Sequence, residues 1–290
     1  MYYTITGKFL IMKKWRKKIF FSIVILLTIW LLWGNYSVDI NHISVSDEMI
    51  PSEFRNYKIV QISDLHNANF GNGQNYLIKL IKNEKPDIIV ITGDLIDSSH
   101  TNINAAINLI SGIINVAPVY YVTGNHEAWC DDYQVLKEQI LSLGVIILDD
   151  EYKYLEKNGQ KICLAGLNDP DFTIPHDLFG ESTSMVKQKL NNMNLPNNSF
   201  TILLAHRPEL INAYSDCNIN LVLSGHAHGG QFRIPFIGGL VAPNQGFFPK
   251  YTSGKYIVGN TQMIVSRGLG NSIIPLRINN RPEVVVITLN

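Results

Sequence analysis

The sequence predicts an α/β fold in which two β-sheets pack face to face as a sandwich with helices on the outer faces. The layers follow the order αββα, and one N-terminal transmembrane helix precedes them. Three observations lead to this prediction. Apolar strand patterns alternate with helical patterns through most of residues 57–290. The later strands become shorter and more closely spaced, and one long apolar run lies near the N-terminus.

The N-terminal segment predicts a membrane anchor. Residues 19–33 are apolar except for Ser22 and Thr28, and a basic cluster precedes them. This run is shorter than the roughly 20 residues that cross a bilayer, but lysines at one end and Trp30 and Trp33 at the other can extend it. A cleaved signal peptide is the alternative. The bulky residues that follow the run argue against it, because a cleavage site needs small ones.

The anchor divides the chain into four predicted parts. These are a cytoplasmic basic segment at residues 1–18, the transmembrane anchor at 19–34, a polar tether at 35–56 and a folded domain at 57–290. Basic residues stay on the cytoplasmic side of a membrane. We therefore expect a single-pass protein of the cell membrane with an extracytoplasmic domain. Its oligomeric state is open.

The folded domain contains short apolar runs bounded by turn residues. They predict nine strands, at residues 57–63, 87–92, 119–123, 145–148, 161–165, 200–204, 221–223, 262–266 and 284–289. Helical patterns fall at residues 75–83, 104–114, 133–143, 185–192 and 208–214. Residues 169–184 and 233–255 predict long loops that could rim a cleft. The second is rich in aromatic residues, and it could receive an acyl chain or form a packed cap.

The charge distribution argues against one class of partner. The chain carries 24 basic and 24 acidic residues, and six of the basic ones precede Asn35 with no acid among them. The rest of the chain thus has 18 basic and 24 acidic residues. This acidic excess does not fit a broad basic surface that binds nucleic acid. The three cysteines have no metal-binding spacing, and Cys163, within an apolar strand, predicts a buried thiol.

Polar side chains follow five of the predicted strands and form the candidate site. They belong to the segments Asp64-Leu-His66, Gly93-Asp94, Asn125-His126-Glu127, Ala205-His206 and His226-Ala-His228. Because strand ends of a layered α/β fold meet at one edge, residues far apart in sequence can become neighbours there. Residues at i and i+2 lie on the same side of an extended chain, so both members of such a pair can reach one ion.

The chemistry of this set predicts two divalent metal ions. Two cations about 3.5–4 Å apart repel each other, so an anionic oxygen must lie between them. A carboxylate can bridge two ions and an imidazole cannot. Asp94 is therefore the predicted bridge, and Gly93 lets the backbone approach the metals. Oxygen and imidazole donors without thiolate fit Mn, Fe, Zn, Co or Ni better than a pure Mg or Ca site.

The order of these motifs resembles that of the calcineurin-like metallophosphoesterase superfamily over nearly all of residues 57–290. The segments Gly229-Gly-Gln231 and Ser266-Arg-Gly-Leu-Gly270 are similar to its bacterial membrane-associated phosphodiesterase branch. The resemblance implies one metal held by Asp64, His66, Asp94 and His228. It implies a second metal held by Asp94, Asn125, His206 and His226.

The implied function is hydrolysis of a phosphoester by a hydroxide that bridges the two cations. The expected bond is a phosphodiester or pyrophosphate linkage in a lipid, an envelope polymer or a nucleotide conjugate. A phosphomonoesterase is the first alternative, and a membrane-tethered, metal-binding regulatory module without turnover is the second. The resemblance also implies that His126 acts on the substrate, and we expect Asp97 to orient its ring. Arg267 is expected either to contact the substrate or to be structural.

Overall fold

The sandwich predicted from the sequence is confirmed. A computed structural model describes residues 3–174, 181–271 and 274–290, with side chains from Trp15 onward. Its strands are β1 (Asp39–Val45), β2 (Lys58–Ile62), β3 (Ile88–Thr92), β4 (Val119–Val122), β5 (Ile146–Ile147), β6 (Glu151–Lys157), β7 (Gln160–Gly166), β8 (Thr201–Leu204), β9 (Leu221–Ser224), β10 (Arg233–Ile234), β11 (Gly238–Gly239), β12 (Val241–Ala242), β13 (Gly246–Phe247), β14 (Gly254–Val258), β15 (Thr261–Val265) and β16 (Glu283–Leu289). Its α-helices are α1 (Tyr3–Tyr36), α2 (Asn75–Glu84), α3 (Ile103–Ile113), α4 (Asn125–Ala128), α5 (Tyr133–Ser142), α6 (Ser182–Asn192) and α7 (Ile211–Asp216).

Two mixed sheets of six strands each form the middle layers. The first has the order β1-β16-β2-β3-β4-β5, and only its β16–β2 pair is antiparallel. The second has the order β14-β15-β9-β8-β7-β6, and its two outermost pairs are antiparallel. Among the described strands, the other four form two small hairpins, β10–β11 and β12–β13. Part of the loop predicted at residues 233–255 is therefore hairpin, and residues 175–180 of the loop predicted at 169–184 lie outside the described residues.

Apolar side chains hold the layers together. Val90 and Ile264 belong to the cluster buried between the two sheets. Leu109 packs α3 onto the outer face of the first sheet, and Ile211 packs α7 onto the outer face of the second. The central strands are therefore buried on both faces, which explains continuous apolar sequences such as Ile88–Thr92.

The tether predicted at residues 35–56 is wrong. Asp39–Val45 forms β1, the edge strand of the first sheet, and all seven of its residues pair in parallel with β16. Its two faces contact different apolar clusters, because Ile40 packs on the outer side of the sheet and Ile43 on the inner side. The polar residues between them conceal this strand in the sequence. The folded domain thus begins near residue 38 rather than at 57.

Helix α1 is continuous, so the predicted basic segment and the predicted anchor lie on one helix. Its portion Trp15–Tyr36 has 22 residues and a mean hydropathy of 1.9, and none of its most apolar stretch is buried. At 1.5 Å per residue, this portion spans roughly 33 Å, which is enough to cross the hydrocarbon core of a bilayer. At its end, Oδ1 of Asn35 accepts a hydrogen bond from the backbone N–H of Arg277 at 2.8 Å and ties the helix to the domain.

Candidate metal centre

The carboxyl ends of β2, β3, β4, β8 and β9 meet at one edge of the sandwich, and the site residues follow directly after them. The structure gathers acidic and imidazole groups here into three clusters, in each of which the potential ligand atoms lie within 4.8 Å of one another. The first cluster consists of Asp64, His66, Asp94 and His228. The second cluster consists of Asp94, His206 and His226. Asp94, the residue predicted to bridge, is common to both. The third, His66, Asp97 and His126, shares His66 with the first.

The two histidines of the second cluster turn their lone pairs toward each other. Nδ1 of His206 donates to the carbonyl oxygen of Thr92 at 2.7 Å, and Nε2 of His226 donates to Oδ1 of Asn244 at 2.9 Å. The remaining ring nitrogens of the two residues lie 3.1 Å apart. Oδ2 of Asp94 lies 3.1 Å from Nε2 of His206. Three acceptors that converge in this way are satisfied by a shared proton or by a metal ion between them, so this donor set fits a metal ion.

The pKa values of the second cluster also indicate a place for positive charge. Burial lowers the pKa of His206, but the neighbouring Asp94 carboxylate raises it more, to about 10. Burial raises the pKa of Asp94, yet the neighbouring His206 lowers it more strongly, so the pKa of Asp94 lies well below its usual range. The site therefore favours a positive charge beside an ionised carboxylate, which a metal cation can supply.

Buried polar atoms without partners mark the first cluster. Both ring nitrogens of His66 and Nδ1 of His228 are buried and have no hydrogen-bond partner among the described residues. Nε2 of His66 lies 3.4 Å from Oδ2 of Asp94, and Nε2 of His228 lies 3.5 Å from Oδ1 of Asp64. Oδ1 of Asn125 is also buried and without a hydrogen-bond partner in the described chain. Since buried polar atoms are normally hydrogen-bonded, these atoms fit metal ligands.

The backbone at the site adopts conformations that L-residues rarely take. Positive φ angles occur at Asp64 (51°), His66 (43°), Asp94 (54°), His226 (64°) and His228 (46°). Such residues cost about 1–3 kcal/mol each and persist where the surrounding structure fixes them, most often at functional sites. Gly93 has a φ of 92°, and a Cβ there would lie 2.5 Å from Nδ1 of His206. Glycine is therefore required at this position.

One carboxylate of the site was not assigned a role from the sequence. Glu127 is buried and accepts hydrogen bonds from the backbone N–H groups of Asp94, Leu95 and Gly124, at 2.8, 2.8 and 2.7 Å. It thereby joins the chain that follows β3 to the chain that follows β4. Burial, with a contribution from the Asp94 carboxylate, raises the pKa of Glu127 to about 7. The sequence signal was its place in the Gly-Asn-His-Glu motif.

His126 lies beside the first cluster, and its ring makes an edge-to-face contact with His66 at 4.5 Å. Nδ1 of His126 accepts a hydrogen bond from the backbone N–H of Ser98 at 3.1 Å, so the neutral ring carries its proton on Nε2. Asp97 is nearer to His66 than to His126. Its Oδ2 lies 3.5 Å from Nδ1 of His66 and 4.0 Å from Nδ1 of His126. The pair predicted between His126 and Asp97 is thus beyond hydrogen-bond distance.

Arg267 has contacts that favour the structural role of the two weighed from the sequence. Its guanidinium group lies 2.7 Å from the carboxylate of Glu283 and 2.9 Å from that of Asp39. These residues begin β16 and β1, so Arg267 fastens two strands of the first sheet at the edge that carries the site. The buried Arg277 supports the same turn by donating to the carbonyl oxygen of Arg267 at 2.9 Å.

Known proteins resemble this chain in sequence. Residues 57–230 match the Calcineurin-like phosphoesterase family. The uncharacterized metallophosphoesterase YkuE of Bacillus subtilis is 33% identical over 251 residues, which cover 85% of this chain and 83% of that protein. Phosphodiesterase YaeI of Escherichia coli is 29% identical over 244 residues, which cover 80% and 82%. A transmembrane protein with metallophosphoesterase domain of Bos taurus is 31% identical over 261 residues, which cover 85% and 56%.

A solved structure supports the fold. The protein TT1561 of Thermus thermophilus matches with a TM-score of 0.50 and 13% identity, covering 73% of this chain and 90% of that one. The chain belongs to the calcineurin-like phosphoesterase family, as its motifs indicated. It is a metal-dependent phosphoesterase, and the paired Asp and His clusters fit the divalent metals that this family uses.

Proposed function

We propose that the protein is a membrane-anchored phosphodiesterase with two divalent metal ions. Its substrate carries a phosphodiester or pyrophosphate linkage in a lipid, an envelope polymer or a nucleotide conjugate. The observation that carries the proposal is that Asp94 belongs to both the first and the second cluster of buried ligand atoms. A carboxylate common to two sites can hold two ions at short separation. The similarity to a relative named phosphodiesterase supports the preference for a diester.

The proposed ligands divide between the first and second clusters. One ion is assigned to Asp64, His66, Asp94 and His228. The other is assigned to Asp94, Asn125, His206 and His226. When bound, two such ions lower the pKa of a coordinated water and stabilise negative charge on the phosphoryl oxygens. The donor types suit Mn, Fe, Zn, Co or Ni.

His126 is proposed as the group that acts on the leaving oxygen. The N–H of Ser98 points at Nδ1 of His126, which leaves the proton on Nε2, the atom farther from this loop. Burial lowers the pKa of His126 and so favours the neutral ring. The neutral ring can donate a hydrogen bond from Nε2 to the departing oxygen. It transfers this proton only after solvent has protonated Nδ1, because loss of the Nε2 proton from the neutral ring would leave an imidazolate.

The membrane anchor is proposed to be α1. Its apolar run begins at Ile19, directly after the basic segment at residues 13–18, which predicts that the N-terminus is cytoplasmic and the catalytic domain extracytoplasmic. Trp30 and Trp33 lie toward the domain end of the helix, where indole rings favour the lipid headgroup region. The similarity to a relative named as a transmembrane protein supports this placement.

The test compares bis(p-nitrophenyl) phosphate with p-nitrophenyl phosphate. The full chain is stripped with a chelator, reloaded separately with each of the five metals and assayed, with Asp94→Ala as the variant that lacks the shared carboxylate. We expect no hydrolysis after stripping, recovery with at least one metal, faster cleavage of the diester, and no recovery for Asp94→Ala. Faster cleavage of the monoester would favour a phosphomonoesterase. Stoichiometric metal binding without cleavage of either ester would favour a regulatory module.

A further inference from the structure

Exposed apolar side chains are concentrated on the two small hairpins next to the metal centre. The tip of β10–β11 carries Phe236, which is fully exposed, and Ile237, which is 64% exposed. Phe247 and Phe248, at the end of β12–β13, are 77% and 63% exposed. We call residues 233–248 the rim hairpins. These four side chains do not form the packed cap that was considered from the sequence. A cluster of exposed apolar side chains is unusual for a surface that faces only water.

The rim hairpins are joined to α1 through one short segment, residues 277–281. On one side of this segment, the carbonyl oxygen of Ile278 accepts a hydrogen bond from the backbone N–H of Arg233 at 2.9 Å. On its other side, the backbone N–H of Arg277 donates to Oδ1 of Asn35, in the last turn of α1, at 2.8 Å. The base of β10–β11 and the domain end of the anchor helix are therefore held at a fixed distance by the same few residues.

Asn279, within this segment, lies between the two surfaces. It lines a cavity together with Trp30 and Trp33 of α1, and it lines a second depression together with Phe236 and Ile237. Tryptophans at the end of an apolar helix mark the depth of the lipid headgroups. The tip of β10–β11 and the tryptophans of α1 thus lie on either side of Asn279.

The charge of this part of the chain also suits a lipid surface. The sequence contains no aspartate or glutamate between Asp216 and Glu283. The same interval carries six basic residues, namely Arg233, Lys250, Lys255, Arg267, Arg277 and Arg281. Arg277 is buried, and Arg267 and Arg281 are paired with Asp39, so the cations that this surface presents are Arg233, Lys250 and Lys255. Exposed aromatic residues accompanied by basic ones are typical of surfaces that bind anionic membranes.

We propose that the rim hairpins rest in the interface of the bilayer that α1 crosses, so that the metal centre opens toward the headgroups of the adjoining leaflet. This inference rests on the proposed anchored phosphoesterase and narrows its substrate to a phosphoester that lies in the membrane. The hairpins also reach the site directly, because Oδ1 of Asn244, in the turn of β12–β13, accepts a hydrogen bond from Nε2 of His226 at 2.9 Å. A lipid phosphoester in that leaflet would thus meet the second cluster without leaving the bilayer.

The experiment places one environment-sensitive fluorophore on the full chain in vesicles that contain phosphatidylglycerol. Ile237→Cys carries the label in one sample, and Ile257→Cys carries it in the matched control, since Ile257 is 68% exposed but lies on β14. Both variants also contain Cys130→Ser and Cys217→Ser, and Cys163 is buried and free. Nitroxide-labelled lipids serve as the quencher. We expect a blue shift and loss of emission for the label at position 237 and neither change at position 257.

Two results would overturn the inference. Equal behaviour of the two labels would show that the rim hairpins stay in water. Emission at position 237 that depends on protein density rather than on the lipid quencher would show that this surface contacts a second copy of the chain. Hydrolysis of bis(p-nitrophenyl) phosphate by the metal-loaded protein is measured on the same vesicles. If the lipid quencher acts at position 237 but no hydrolysis is detected, the membrane contact is supported and the proposed phosphodiesterase function is contradicted.

Discussion

The backbone of Asp94 is held by the side chain of Glu127, whose carboxylate accepts the Asp94 N–H at 2.8 Å. The same carboxylate accepts the N–H groups of Leu95 and Gly124, which belong to the loops after β3 and β4. The residue shared by the first and second clusters is therefore positioned by a buried group that lies outside both of them. Outer groups of this kind orient metal ligands and set their affinity.

Replacement of Glu127 by Gln tests this positioning. The amide would place one N–H group against backbone N–H groups, so the two loops would separate. We expect metal affinity to fall roughly 10–100-fold, the range measured when partners of metal ligands are changed. The metal affinity is measured by competition with a chromophoric chelator. Asp132→Asn is the control. It changes an exposed carboxylate between α4, which carries Glu127, and α5, and it should leave the metal affinity unaltered. An affinity for Glu127→Gln equal to that of the parent would contradict the positioning role.

A substitution of His126 distinguishes proton transfer from metal binding. His126→Gln keeps a polar side chain but cannot act as an acid, so we expect kcat to fall by about 10²–10⁴, the usual contribution of general acid catalysis. The metal content, measured by mass spectrometry of the purified protein, should stay the same. A loss of metal in this variant would instead identify His126 as a ligand.

The position of Asp97 predicts an effect on metal affinity. Its carboxylate is 3.5 Å from Nδ1 of His66 and farther from His126, so it is placed to orient a proposed metal ligand. We expect Asp97→Asn to weaken metal binding roughly tenfold or more, with turnover restored at saturating metal. Titration of activity against metal concentration separates the two effects. A lower kcat at saturating metal with unchanged affinity would favour the orientation of His126 by Asp97 that the sequence suggested.

Asn244 is expected to orient His226 from the hairpin β12–β13. Asn244→Ala removes the acceptor of the Nε2 proton, which frees the ring to rotate or to change tautomer. We expect a decrease in metal affinity of roughly 10–100-fold. Asn244→Asp, which keeps an acceptor oxygen, should restore most of it. Asn260→Ala, an exposed amide in another turn, is the control. Failure of the aspartate variant to do better than the alanine variant would count against this role.

The thiol of Cys163 should be inert in the folded protein. It is fully buried, and burial raises its pKa to about 11, so almost no thiolate forms at pH 8. Cys130 and Cys217 are partly exposed and free. Titration with a disulfide reagent at pH 8 should therefore consume two thiols per chain before unfolding and the third after it. Rapid reaction of three thiols in the native protein would contradict this burial.

The strands could be predicted where burial makes them apolar. Each of the nine predicted strands is present within one residue of its expected ends, because central strands are covered on both faces. The outer strands β6 and β14 were missed. β6 has the sequence Glu151–Lys157, with one buried residue among seven, and β14 has none in five. Such edge strands carry polar side chains, so pairing rather than pattern defines them.

The ligand set could be predicted because oxygen and imidazole donors follow apolar strands in a fixed order. Groups that act through the backbone could not be found in the same way. Glu127 holds N–H groups, Ser98 presents its own N–H to His126, and Asn244 belongs to a distant hairpin. Asp97 shows the same limit, because its spacing from Asp94 does not reveal which of two imidazoles it faces.

The parallel pairing of β1 with β16 has a consequence for how the chain is made. β1 directly follows the apolar helix, whereas β16 occupies residues Glu283–Leu289 of a 290-residue chain and separates β1 from β2. The first of these strands is synthesised well before the second and cannot pair with it until residues 283–289 have been made. A nascent chain that stalls before Glu283 therefore lacks the shared partner of β1 and β2, so this sheet cannot be completed until β16 has been made.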